Sequence, residues 1–209
     1  MTHTLSQTSL VPYIVTWSGE QHIKRRLIRG KRGIAFADEL PHDRDSGGAL
    51  WHRCALRRGQ GRPRLGVVHP QRQRCVMRSL LCQVCAGPAD SDERGVLYLT
   101  EDHRGDWPDW PERLMTTHPQ LCLPCAAKAV RYCPHLLSGH VALRSTASEI
   151  CAVHGRRYYP GPLLPFPGDK EIVQYDDPAI GWVLAWQLVR SLSGCTIVDL
   201  DAELAAATP

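Results

Sequence analysis

Leu80-Leu-Cys-Gln-Val-Cys-Ala-Gly-Pro88 and its counterpart Leu121-Cys-Leu-Pro-Cys125 decide how the centre of this chain folds. Each places two cysteines two residues apart, a spacing that turns both sulfurs toward one point, and 36 residues separate the pairs. Four thiolates are the set that tetrahedral zinc prefers. Cys82, Cys85, Cys122 and Cys125 are therefore expected to hold one structural Zn2+, in a closed site with no open position for a substrate. Free core cysteines or a redox dithiol are the alternatives.

The local sequence suggests how the pairs are presented. Ala86-Gly-Pro88 suits the tight turn of a zinc knuckle, with glycine taking the positive φ. Val96-Leu-Tyr-Leu99 reads as a strand, and Asp102 to Glu112, with two Trp-Pro steps, as a loop. The second pair opens a helix: Pro124 fits its first turn, Ala126-Ala-Lys-Ala-Val130 propagates it, and Pro134 ends it. Knuckle, strand and helix together describe a treble clef, with a zinc ribbon as the competing geometry. The expected fold class is α+β, a treble-clef-like zinc core with short strands and a few helices.

Upstream, Val11–Trp17, Gly33–Ala37, Ala49–Cys54 and Leu65–Val68 are apolar or alternating runs between Gly, Pro and Asp clusters, as strands are. Arg57–Arg64 reads as a basic loop. Pro70 opens a short helix through Leu81 with Val76, Met77, Leu80 and Leu81 on one side and Arg72, Arg74 and Arg78 on its wetter surface. Downstream, Val141–Arg144 and Glu149–Val153 are expected to pair as a hairpin, followed by a Pro-rich loop from Tyr159 to Gly168. Asp177-Pro178 caps an expected helix with Ile180, Leu184, Leu188 and Leu192 at four-residue spacing, stopped by Gly194. Thr196–Leu200 is a final strand. Three segments result: a basic β-rich part over 1–80, the zinc core over 81–160, and a loop, helix and strand over 161–209.

Charge is distributed unevenly. Residues 21–80 carry fifteen Lys and Arg against four acids, whereas 81–209 carry ten against sixteen. A polyanionic partner, DNA or RNA, is the functional reading, with Arg57, Arg58, Arg62, Arg64, Arg72, Arg74 and Arg78 on phosphates. The alternative is intramolecular, a basic module docked on an acidic one. The opening residues Met1–Gln7 show no secretory pattern, and no window nears the ~20 apolar residues of a membrane span. A cytoplasmic protein is expected, in which paired cysteines favour metal over disulfide.

A second Cys/His set, Cys133 and His135 with Cys151 and His154, has the ligand count for another tetrahedral metal. His52, Cys54, His69 and Cys75 form a looser set. Trp107, Trp110, Trp182 and Trp186 suit either the core or base stacking. There is no Gly-rich phosphate loop and no Gly-x-Ser-x-Gly elbow.

Between the cysteine pairs stands Asp102-His103, and there the chain resembles the HNH endonucleases built on cysteine-knuckled treble clefs. The likeness runs from Cys82 to Cys125. It implies His103 as the general base on water and Asp102 as a holder of a divalent cation, with His118 near the family's middle Asn/His position. The family places a metal-binding His directly after the last cysteine, where this chain has Ala126, so the resemblance implies binding more than cutting. Gly61-Arg-Pro63, Val68–Arg74, Leu80–Cys85, Cys122–Cys125 and Cys133–Leu136 also resemble an uncharacterised group of actinobacterial proteins, which implies a zinc-binding protein and no particular reaction. The leading reading is a zinc-binding, nucleic-acid-associated protein. The other two are an enzyme (a metal-dependent nuclease, or a tailoring enzyme using the second Cys/His set) and a zinc-stiffened adaptor for a protein partner.

Overall fold

In the computed structural model, which describes residues 11–207, the chain is mixed α+β. The opening residues read for a secretory pattern lie outside that range. The strands β1 (Val15–Trp17), β2 (Leu27–Gly30), β3 (Gly33–Phe36), β4 (Leu50–Trp51) and β5 (Pro63–Val68) precede helix α1 (Pro70–Ser79). After the first cysteine pair come β6 (Ser91–Asp92), β7 (Gly95–Glu101) and β8 (Met115–Thr116). Helices α2 (Leu123–Tyr132) and α3 (Pro134–Leu137) follow, then the long strands β9 (His140–Tyr159), β10 (Phe166–Gln174) and β11 (Val183–Val198), and helix α4 (Leu200–Ala206).

An antiparallel ribbon of β9 and β11, paired from Val183↔Arg157 to Val198↔Ala142 with register shifts at Ala185/Gln187 and Val189/Arg190, is the spine of a seven-stranded sheet. The first part of β9 pairs with β7 and its last part with β10. The outer edge of β11 carries β4 at one end and β8 further along. Two small sheets, β1–β5 and β2–β3, hold the basic segment.

The structure overturns two expectations for the C-terminal half. No helix spans 178–194: Asp177 does cap, accepting the Ala179 N–H at 2.7 Å, but it opens only a 3-10 turn over Pro178–Trp182 before β11 begins. Four-residue spacing is an even number, so Leu188 and Leu192 fit a strand face as well as a helix face, whereas the extra residue Trp186 puts Leu184 on the other face, against Ile34 and Phe36. The β-branched Val183, Val189, Thr196, Ile197 and Val198 favour the strand. Likewise Val141–Val153 is one continuous strand rather than a hairpin. The Ser145–Ser148 stretch lacks Gly, Pro, Asn or Asp to turn it, and Ser145 Oγ instead donates to Ser193 O at 2.8 Å within the ribbon.

Helix α1 locks onto this spine through buried amides. Between β4 and β8 no strand pairs with β11, and Gln73 fills the gap. Its Oε1 accepts the Leu188 N–H and its Nε2 donates to Leu188 O, both at 2.9 Å. Gln120 Nε2 reaches the Val76 and Leu81 carbonyls at 2.7 and 2.8 Å, and the buried Arg190 donates to Met77 O. Carbonyls near the helix's end thus find partners away from water, and Leu80, in the left-handed region at φ 50°, turns the chain into the first cysteine pair.

Within the basic segment a buried ion pair ties the chain to α1. Arg72 holds Glu20 with two 2.6 Å contacts, and both side chains are buried. Glu20 also accepts the Trp17 and Arg57 amides, at 2.9 and 3.1 Å, while Arg72 donates to Val15 O. Burial opposes ionisation of Glu20, but Arg72 and the Trp17 N–H overcome it and hold the carboxyl down at about 2. Arg72 therefore lies inside the fold and not on the wet face expected of it.

Replacing Glu20→Gln should lower stability by about 3 kcal/mol at pH 7, since it strands a buried guanidinium. The carboxyl's depressed value means its contribution is full above about pH 4.5 and lost as pH falls toward 2. Urea midpoints of wild type and variant should accordingly draw together across that window; a constant gap would refute the assignment.

Candidate metal centre

The first cysteine pair follows α1 directly. Leu81 N returns to Val76 O at 3.0 Å, and Leu81 bridges to Pro88, so the chain reverses across Cys82–Gly87. Within the reversal Ala86 N donates to Cys82 O at 2.9 Å and Cys82 N to Gly87 O at 2.7 Å. The positive φ falls on Ala86 (61°), not on Gly87 as expected. Gly87 has another role: its N–H points at Cys85 Sγ at 3.4 Å, as Val84 N–H does at Cys82 Sγ. Amides aimed at sulfur stabilise thiolate charge.

The second pair stands at the start of α2. Cys122 is its N-cap residue, accepting from Cys125 N and Ala126 N at 3.1 and 2.9 Å, and Pro124 occupies the first turn as the sequence predicts. The helix N-terminus adds a positive dipole beside the sulfurs. Leu121 N bonds to Leu97 O, so β7 sets the depth at which the second pair meets the first.

The four Sγ atoms lie within 4.8 Å of one another, and Cys85 and Cys122 are 3.8 Å apart. A tetrahedral ion with metal–sulfur bonds of about 2.3 Å requires sulfur–sulfur edges of about 3.8 Å. The donor set therefore fits a thiophilic divalent cation. Among the described residues this is the one group of three or more His, Cys, Asp or Glu side chains so gathered. Burial pushes the Cys122 thiol up to about 11 and raises Cys125 further, each opposed or reinforced by neighbouring cysteines. For Cys85 burial acts upward as well, but the Gly87 N–H and the other three cysteines bring it down overall. A dication among the sulfurs would replace these protons with one shared charge.

Around the sulfurs packs an apolar cluster of Leu97, Leu99, Leu121, Leu123, Ala126, Ala129, Ala142 and Leu200, with Val198 and Leu204 at its margin. Beside it the buried Arg144 binds Asp90 at 2.6 Å and Glu203 at 2.5 Å, tying β9 to α4 and to the segment after the knuckle. Neither Arg144 nor its acids stand out in the sequence.

The other predicted site residues do not assemble. Cys133 caps α2, His135 is exposed and 3.8 Å from Glu101, and Cys151 Sγ faces Val189 O. His154 meets Gln187 and Trp186. On the continuous strand β9, Cys151 and His154 have separate partners, and among the described residues neither gathers with Cys133 or His135. Of the looser set, Cys54 and His69 are buried, with His69 Nε2 on Ala55 O, whereas Cys75 is exposed. Asp102 is held by Arg104 at 2.5–3.2 Å, His103 Nδ1 faces Asp106 at 3.2 Å, and His118 is exposed. Arg104 holds the Asp102 carboxyl down at about 2. Asp102 and His103 thus have separate partners in an exposed loop. Arg57, Arg58, Arg62 and Arg64 are exposed, Arg78 is exposed 4.0 Å from Asp45, and Arg74 lies half-buried with its guanidinium 4.1 Å from the Trp51 ring centroid.

The purified chain should carry one tightly bound thiophilic ion, released by chelators with loss of structure around α2. Cys125→Ser should cost about 4 kcal/mol or more, as loss of a structural metal does, while Cys75→Ser, on the exposed side of α1, should change neither metal content nor stability. Equal effects from the two would remove the centre's structural role. The chain matches no family model, no curated protein and no solved structure, so this chemistry rests on the four sulfurs and their surroundings.

Proposed function

We propose that this is a zinc-stabilised nucleic-acid-binding protein, in which a treble-clef-like centre fixes the fold and the N-terminal basic segment meets phosphates. The order of knuckle, β6–β7 hairpin and helix N-terminus supports the treble-clef reading, and the all-sulfur donor set supports zinc, which such sites favour. A cytoplasmic setting accords with nine unpaired cysteines.

One observation carries the nucleic-acid reading. Of the fifteen basic residues in 21–80, Arg25, Arg44, Arg53, Arg72 and Arg78 have a carboxylate within 4.0 Å, and every such partner lies in the first 45 residues. Where acids of the remaining chain form ion pairs, they do so with its own arginines and histidines, as Asp92 with Arg94 and Glu171 with Arg157 do. Among the described residues no ion pair joins the basic segment to the acidic remainder, so intramolecular neutralisation does not account for the asymmetry. Setting aside Arg74, which lies half-buried on Trp51, nine basic side chains, Arg57, Arg58, Arg62 and Arg64 among them, are left for an external polyanion. Binding is favoured over cutting because Arg104 occupies Asp102 and Ala126 stands where the endonucleases place a ligand.

DNA or RNA affinity should fall linearly on a log–log plot against salt, and Arg57, Arg58, Arg62 and Arg64 changed together to Gln should reduce the slope by about 3. Plasmid incubated with Mg2+ or Mn2+ should stay intact, with His103→Ala indistinguishable from wild type. Salt-independent binding, or cleavage that His103→Ala abolishes, would displace this reading.

A further inference from the structure

At the end of the ribbon away from the cysteines, the sheet presents a row of rings on one face. Trp51, Ala185, Val153 and Val173, on four neighbouring strands, point into one core cluster with Met77 of α1. Their sequence neighbours His52, Trp186 and His154 must occupy the opposite face. There the Trp186 ring centroid lies 5.7 Å from His52 and 5.3 Å from His154, and His22 stands 5.1 Å beyond His52.

The backbone is built to present this indole. Pairing runs from Ala185↔Gly155 directly to Gln187↔His154, so Trp186 is the extra residue of a β-bulge. Bulges re-aim a side chain and are over-represented beside functional sites. Opposite it Gly155 has no room for a side chain, since a Cβ would come within 2.6 Å of Leu184 O.

A cation stands beside the ring. Lys170, exposed on β10, places Nζ 5.7 Å from the Trp186 centroid. None of His22, His52, His154 or Lys170 has a carboxylate within 4.0 Å; the histidine–carboxylate contacts among the described residues are those of His69, His103 and His135. Burial, His22 and Arg156 hold His52 down at about 4, so it is a neutral flat ring at pH 7. Nearby, Ile34 and Phe36 of the β2–β3 hairpin pack on Leu184, two residues before Trp186, and the hairpin carries exposed Arg29, Lys31 and Arg32.

We propose that Trp186 is a stacking platform for a base of a single-stranded nucleic acid, with Lys170 taking the adjoining phosphate. An aromatic surface within a positive rim is the recurring device of strand binders, because every base offers a π-face whatever its sequence. A base sliding onto the indole displaces the Lys170 ammonium from the ring and leaves it facing the phosphate. Duplex bases are already stacked and do not reach the site. The inference rests on the nucleic-acid reading above and assigns to it a second contact, one independent of Arg57–Arg64.

Fluorescence anisotropy of labelled dT12, rU12 and a matched duplex tests this, with metal content and circular dichroism checking the fold of each variant. Trp186→Ala should weaken both single strands about tenfold, leave the salt slope and duplex affinity unchanged, and be largely rescued by Trp186→Phe. Should Trp186→Ala not fold, Lys170→Gln, at an exposed position, should weaken the strands about threefold and shallow the slope by about 1. Strand affinity unchanged in these variants overturns the platform while persisting duplex binding preserves the broader reading. Wild type binding neither strand nor duplex overturns both. Thymidine monophosphate binding that Trp186→Ala abolishes, with strand affinity untouched, would reassign the platform to a free nucleotide and overturn it as a strand site.

Discussion

Four cysteine sulfurs within 4.8 Å of one another are a poor arrangement unless something positive sits among them. As thiols they are weak hydrogen-bonding partners in an apolar shell; as thiolates they repel. Burial lifts Cys122 to about 11, which expresses the cost of charge there. The surrounding structure nevertheless converges on this point from two ends. The held terminus of α1 aims the first pair, and β7 with the N-terminus of α2 aims the second. A divalent ion would turn mutual repulsion into attraction and crosslink the leucine cluster that packs around the sulfurs. Only 43% of the chain is hydrophobic and just two Phe are present, so a crosslink of this kind offsets a shortage of large apolar anchors.

Cysteine spacing made this centre legible in the sequence, because ligand geometry is local and strict. Pro70, Pro124 and Pro134 marked helix boundaries for equally local reasons, and the helices they bound are present. Long-range matters were hidden. Leucines four apart satisfy both helix and strand, and the β-branched residues around them together with β9 as a partner decide for the strand. The second Cys/His set rested on ligand count and local spacing, and among the described residues its members are not gathered. Arg72 looks in the sequence like Arg74 and Arg78; nothing there shows that it meets Glu20, 52 residues away.

Charge asymmetry invited the picture of a basic module clamped electrostatically on an acidic one. The contacts show another logic. Within the basic segment the buried Glu20–Arg72 pair ties the chain to α1; Gln73 and Arg190 then join α1 to β11, and Ile34 and Phe36 pack on Leu184, while Gly33 and Gly181 let the hairpin backbone approach the 3-10 turn closely. In each contact the energy comes from desolvated groups, with exposed cations contributing little. Apolar and buried polar contacts therefore do the fastening, and the arginines outside are free of that task.

The ribbon of β9 and β11 then separates two roles along its length. Ala142 and Val198 lie against the metal-centred cluster, and Gly155 and Ala185 lie at the bulge, roughly 40 Å of strand away. A change that loosens the cysteine end need not disturb the Trp186 end directly, because intervening pairs from Leu192↔Ser148 to Leu188↔Val153 carry their own hydrogen bonds and the Gln73 clamp. Loss of an ion at the cysteines would accordingly reach the Trp186 end only through global stability, whereas the bulge shapes that end directly. That division explains why the chain keeps a strained Ala86 turn at one end and a side-chain-free Gly155 at the other: each serves a local geometry that the rest of the sheet neither requires nor supplies.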